Sequence, residues 1–427
     1  MSNHPKLRLL AATCLASGAL LAAAPSLAQT ATGAGASASS SGTADGASSN
    51  AEGGDSTAVG TGAVAAGSYD VALGYGATTA AQSGQTQESG DIAIGWASAT
   101  GYNAMAFGYS AHATGDVGVA VGTASNAGDH ATAVGYSAVA LGLRSAAVGE
   151  EARATGNDAN AFGSNAQAYG GNSSAMGEDA TAIGLGDMAL GAFASTYVQG
   201  NQAQTNGNIA LGSDSGTADG AMTAVDAVAI GGDAIAIGTA TQSTGSHAVA
   251  LGSYGVASGG DATAVGAYSV ASGADALALG AIDRASGAYT DSIGYASTAS
   301  GTGAVALGAV ATAGGAYADS IGYGSTANGP GAVALGFDTA AGGNFADAFG
   351  FSSNASGAYA MALGEGAAAS STNAVALGHL ASATAANSVA IGSGSVANVA
   401  NTVSVGTSSA TRMIVNVAAG APPPPTR

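Results

Sequence analysis

The chain has 427 residues, 71 of them glycine, with 8% charged and 5% aromatic residues and a formal net charge of −19 at pH 7. All 26 acids lie beyond residue 28, against five arginines and no lysine there. A surface this acidic repels nucleic acid and anionic headgroups, which excludes a DNA- or RNA-binding role. So few large apolar residues would ordinarily indicate disorder, but the strict period described below does not fit a disordered chain.

Residues 1–28 have the form of a signal peptide: Lys6 and Arg8, an apolar run over 9–24, and Ser26-Leu27-Ala28 as a cleavage site. Cys14 leaves with it, so no thiol, disulfide or cysteine metal site is expected in the mature chain. Residues 29–56, rich in Ala, Ser and Gly, are predicted to be a flexible leader. Solenoid repeats are predicted over 57–400. Their glycines begin at Gly60, Gly74 and Gly95 and continue at steps of 13 or 14; the one step of 21 marks an insertion near 78–90. Phase breaks again over 192–231, as loops bulging from the stack or as a junction between two stacks.

Phase then locks at 14 residues: Gly238, Gly252, Gly266, Gly280, Gly294, Gly308, Gly322, Gly336, Gly350, Gly364, Gly378, Gly392 and Gly406. A second series, Gly245 to Gly357, runs half a period later. Such a period marks a stacked repeat. Within 246–259, Val249 and Leu251 alternate with Ala248 and Ala250, which is a strand signal, and the glycines supply turns. One period is therefore two strands of about five residues and two turns, stacking in parallel at roughly 4.8 Å per coil. The fold class is all-β, a parallel β-roll solenoid of 14-residue two-strand coils. Val249, Leu251, Val305, Leu307, Val333, Leu335, Val375, Leu377, Val389 and Ile391 are the predicted repeat core. A coil this thin encloses little, so an obligate oligomer is expected.

Catalytic and cofactor signatures are missing. Gly-x-Gly-x-x-Ala at Gly184, Gly322, Gly364 and Gly392 falls in solenoid phase, with no helix to receive a phosphate. His112, His130, His247 and His379 lack metal-ligand spacing. No cofactor and no enzyme activity are expected. A double period is superimposed on the single one. Asp291, Asp319 and Asp347 occupy the position held by Val305 and Val333 in the intervening coils, and Tyr289, Tyr317 and Phe345 lie two residues earlier. If the acids face inward, they need hydrogen bonds, protons or partners across chains, with the rings covering them; if outward, they form an acidic–aromatic ligand ladder. Tyr75, Trp96, Tyr109, Tyr136, Tyr295, Tyr323, Phe337 and Phe351 follow turn glycines and line one edge, either packing over the next turn or forming an adhesive stripe.

Asn387-Ser388-Val389-Ala390-Ile391-Gly392, Asn373-Ala374-Val375-Ala376-Leu377-Gly378 and Gly303-Ala304-Val305-Ala306-Leu307-Gly308 resemble the head repeats of YadA-like trimeric autotransporter adhesins. Asn401-Thr402-Val403-Ser404-Val405-Gly406 with Arg412, through 401–420, is similar to the neck of those heads. The resemblance implies a left-handed parallel β-roll, against the usual handedness of parallel crossovers. It also implies a homotrimer on a Gram-negative outer membrane or released from it, and a role in virulence through adhesion to matrix proteins, cells or other bacteria. A structural surface rod or biofilm matrix protein is the alternative. After a Pro-rich tail at 421–427 neither heptads nor barrel strands follow, and no direct membrane span is expected in this chain, so a head without its own stalk and anchor is predicted.

Overall fold

One circuit of the backbone takes 14 residues. Val305–Leu307 is a three-residue strand, Gly308 opens a turn, Thr312–Ala313 is a two-residue strand, and a second turn at Gly315 leads into Asp319–Ile321. Successive coils pair in parallel with Val305 on Asp319, Ala306 on Ser320 and Leu307 on Ile321, and with Thr312 on Thr326. The N–H of Val305 donates to Ala318 O and that of Gly308 to Ile293 O, both at 2.9 Å. This builds a broad sheet of three-residue strands and a narrow sheet of two-residue strands. The strands are shorter than the five residues expected, although Leu277–Ala281 and Asp291–Tyr295 reach that length. The computed structural model describes residues 29–80, 90–197, 207–211 and 227–418. They fall into two compact units divided between His130 and Ala131.

The inside of each coil is alanine. Ala304, Ala306, Ala311 and Ala313 are fully buried, and the same four positions recur from coil to coil. This corrects the predicted core. Val249, Leu251, Val305, Val333, Val375, Leu377 and Val389 are only half-buried, and Leu307, Leu335 and Ile391 stay 42%, 44% and 43% exposed. Two sheets of two and three residues, closed by tight turns, leave a narrow lumen filled mostly by alanine, with serine, threonine and a few Asp and Asn among them. The branched side chains must therefore take the outer face of the pleat. Where serine replaces alanine inside, it is paired: Ser292 Oγ lies 2.7 Å from Ser297 Oγ, and Ser320 Oγ 2.7 Å from Ser325 Oγ. Such pairing satisfies polar groups shut off from water.

The two glycine series have different reasons. From Gly238 to Gly392 the turn glycines all take φ between 101° and 151°. A Cβ on Gly308 would also lie 2.5 Å from Gly322 O. Gly259 has no such φ, but its Cβ would overlap the carbonyl of Gly273 in the next coil. Gly406 lacks the positive φ of its series and stands where the stack ends.

In the first unit, Thr30–Thr32, Ser37–Ala38, Thr43–Asp45 and Asn50–Ala51 are already strands in the stack. The flexible leader expected over 29–56 is therefore solenoid. Its small residues are what the lumen takes: Ala44, Ser49 and Ala51 are fully buried. Across 81–89 the broad sheet continues, with Val71 on Ile92 and Leu73 on Ile94. In the second unit the phase break at 192–231 leaves the ladders intact. Met188 pairs with Ile209 and Ile209 with Ile235; Ser195 pairs with Val228 and Val228 with Gln242. Two stacks meeting at a junction would interrupt these pairings; residues 198–206 and 212–226 lie outside the described residues.

The last strand, Val403–Ser404, pairs with Val389 and Ala390. Arg412 then folds back: its Nη1 donates to Ser395 Oγ at 2.6 Å and to Val405 O at 3.2 Å, and its Nη2 donates to Ser393 O. A guanidinium that satisfies the final turn closes the open end of the ladder.

Candidate interaction surface

The outer face of the broad sheet carries two rows of side chains. The row nearer the turn that follows the strand is apolar in coil after coil of the second unit: Leu251, Val265, Leu279, Ile293, Leu307 and Ile321 are consecutive members, in register. The other row is mixed. It reads Leu277, Asp291, Val305, Asp319, Val333 and Asp347 over the same length. Asp291, Asp319 and Asp347 thus face outward, half-buried, on the side of the valines they replace. The inward alternative is overturned, because strand parity puts Ser292, Ser320 and Ala348 in the lumen instead. Burial raises the pKa of Asp347, which lies between Val333 and Met361.

Tyr289, Tyr317 and Phe345 do not cover these acids. They sit at the last position of the turn that enters the broad sheet, with φ of 58°, 55° and 53°, and are 67%, 71% and 56% exposed. Left-handed backbone is cheap for asparagine and costs a bulky residue about 1–2 kcal/mol. Asn373, Asn387 and Asn401 hold the same position near the end of the stack. Their amides form a ladder, Asn373 Nδ2 to Asn387 Oδ1 at 2.9 Å and Asn387 Nδ2 to Asn401 Oδ1 at 3.0 Å. Three aromatic rings at a position suited to asparagine are neither buried nor conformationally favoured.

Two of the rings nest on glycine. A Cβ on Gly303 would lie 2.8 Å from Tyr317 Cδ1, and one on Gly331 would lie 2.6 Å from Phe345 Cδ1. These two rings lean over the glycine of the preceding coil, whereas Asp275 stands one coil before Tyr289. The alternation ends at Tyr359, which stacks on Phe345 with ring centroids 5.5 Å apart. His247 occupies the same column, between Asp233 (3.8 Å) and Asp261 (3.3 Å). Its sequence neighbours do not reveal this pair, since both acids are one coil away.

The post-glycine aromatics line the other turn. Tyr75, Trp96 and Tyr109 contact edge to face at 6.1 and 5.0 Å in the first unit, and Tyr323, Phe337 and Phe351 stack at 5.0 and 5.3 Å in the second. Tyr136 and Tyr295 are exposed at the same position. The packing reading holds for these two triplets, whose rings contact their neighbours along the stack and stay about half exposed.

A parallel solenoid with a mostly alanine lumen, glycine-ladder turns and, in the second unit, a continuous outer apolar row is a repeat scaffold that presents surface. A family model described as the YadA head domain repeat matches residues 51–77, 99–125, 127–152, 140–166, 154–177, 168–194, 229–254, 257–281, 285–311, 313–339, 348–367, 355–381, 369–395 and 383–409, more than half of the chain. The chain belongs to the YadA head family. Among solved structures it is similar to the collagen-binding domain of the Yersinia adhesin YadA, at 26% identity over 45% of this chain and 75% of that one, with a TM-score of 0.16. No curated protein matches it.

Proposed function

We propose that the chain is a non-enzymatic adhesin head, exported to the surface of a Gram-negative cell or beyond it, that attaches multivalently to an extracellular matrix protein or cell-surface ligand. The exposed aromatics at left-handed turn positions carry this reading: they have a backbone cost and no burial to offset it, which is the pattern of residues kept for a partner. With Asp291, Asp319 and Asp347 beside them in the same coils, they make a stripe repeated every second coil. Each station is weak, and repetition along one rigid face supplies avidity.

The apolar row supports a homotrimer. Leu251, Leu307, Leu335 and their ladder neighbours are core residues of an assembly rather than of the single roll, with the Asp and Tyr positions at its rim. Segment 401–420 acts as the neck, since Met413, Ile414, Val415 and Val417 are 64–86% exposed in one chain and need other copies to cover them.

The test is solid-phase binding of the purified chain to collagen, fibronectin and laminin, with a triple Asn variant at Tyr289, Tyr317 and Phe345. Saturable binding that the variant loses supports the stripe, and saturable binding it keeps refutes the stripe. Saturable binding to none of the three favours a structural rod.

A further inference from the structure

Two coils take 21 residues instead of 14, and their described residues are arranged alike. In the first unit the widened coil separates Val71–Leu73 from Ile92–Ile94; in the second it separates Met188–Leu190 from Ile209–Leu211. The lumen position before each first strand, in most other coils alanine, serine or threonine, is a buried acid: Asp70 and Asp187. Asp70 accepts from Gly67 N–H at 2.7 Å and from Asp91 N–H at 3.0 Å; Asp187 accepts from Gly184 N–H at 2.7 Å and from Asn208 N–H at 3.0 Å. Buried Thr79 and Thr196 accept from Ala66 and Ile183 N–H at 3.2 and 3.1 Å. In the following coil Asp91 accepts from Ala104 N–H at 2.8 Å, and Asn208 from Ala234 N–H at 3.1 Å.

In a regular coil the equivalent amide, that of Ala318, donates to Gly315 within its own turn at 3.3 Å. In the widened coils it donates to a carboxylate from the coil before. The two clamps differ at one chemical point, Asp91 against Asn208. Both residues are fully buried, and Asp91 Oδ2 and Asn208 Nδ2 both lack a hydrogen-bond partner. For an amide this costs one hydrogen bond; for a carboxylate it leaves a charge in a dry lumen.

The charged groups that act on Asp91 are the acids Asp70 and Asp116, with no cation among them. Burial first, and then these two acids, lift its pKa to about 7 against the opposing bond from Ala104.

We propose that the first widened coil is a pH-sensitive joint with Asp91 as its switch: the coil is tight while Asp91 is protonated and looser once it ionises, and the second widened coil, with Asn208 there, does not respond. The sign follows from linkage. The folded coil holds this proton up to about pH 7, and the opened chain only to 3.8. The stabilisation is complete below pH 3.8, declines across that interval and is gone above about 7.

Hydrogen exchange of the full chain between pH 5 and 8.5, corrected for intrinsic chemistry, tests this at Ala104 and Ala234. In the parent chain the opening constant at Ala104 should rise about tenfold per pH unit up to neutrality and then level off, while Ala234 stays flat. Asp91→Asn should flatten Ala104, and Asn208→Asp should transfer the dependence to Ala234. The second variant keeps the test decisive if the first folds poorly. A flat Ala104 in the parent, a persistent slope in Asp91→Asn, or a flat Ala234 in Asn208→Asp overturns the proposal.

Discussion

Alanine placed at three glycines separates the two reasons this solenoid needs glycine. At Gly308 the backbone is at φ +137°, and the new Cβ would sit 2.5 Å from Gly322 O, where ordinary contact begins near 3.4 Å. The strained backbone costs about 1–3 kcal/mol. The overlap costs about 1–3 kcal/mol more, because the obstacle is a backbone carbonyl held in the ladder. The expected loss is about 2–6 kcal/mol. Gly394 has φ +63° and nothing within 4 Å of a Cβ, so Gly394→Ala carries the backbone cost alone, about 1–2 kcal/mol. Gly260 has neither feature, and Gly260→Ala should be neutral or stabilise by up to about 1 kcal/mol by restricting the unfolded chain. The assay is urea unfolding of the full chain at a fixed concentration, which holds any assembly contribution constant. If Gly308→Ala falls within about 0.5 kcal/mol of Gly260→Ala, the turn series is not sterically required and the account of the glycine ladder fails.

The double variant Leu307→Asp with Leu335→Asp should drop the light-scattering mass from three chains to one, since each leucine covered in an assembly contributes roughly 1.5–3 kcal/mol and an unpaired charge in the seam opposes it; an unchanged mass would remove this row from the interface. Asp319→Val gives an unbroken run of valines from Val305 to Val333 in the mixed row and should raise stability by up to about 1 kcal/mol while weakening ligand binding. A marked fall in the unfolding midpoint would instead make Asp319 a structural residue.

The period, the parallel pairing and the turn glycines from Gly238 to Gly392 can be read from spacing, because each coil repeats its neighbour's chemistry. The side that faces inward cannot. Val249–Ala250–Leu251 alternates equally well for either face, and the usual expectation that large apolar residues go inside fails in a narrow lumen filled mostly by alanine. The segment 29–56 misleads for the same reason, since Ala, Ser and Thr resemble a linker until the lumen that selects them is seen. The ladder at Asp291, Asp319 and Asp347 shows in its period, but its orientation needs the parity of the strands. The second widened coil does carry a signal in the sequence: Asp187 and Asn208 are spaced as Asp70 and Asp91 are, 21 residues apart. Its recognition depends on asking what a polar residue does at an alanine position.

The lean of Tyr317 over Gly303 and of Phe345 over Gly331 has a consequence for how such a chain changes length. A regular stack tolerates the gain or loss of any single coil. Here one coil removed would set ring against ring, as Tyr359 already stands on Phe345, or glycine against glycine, and the nesting of ring on glycine would be lost. Excising residues 303–330 would instead seat Gly331 where Gly303 was and leave Phe345 on its glycine. Over this region the natural unit of growth and shrinkage is a pair of coils, about 10 Å of rod at a time, and variants of this stretch should differ in multiples of 28 residues.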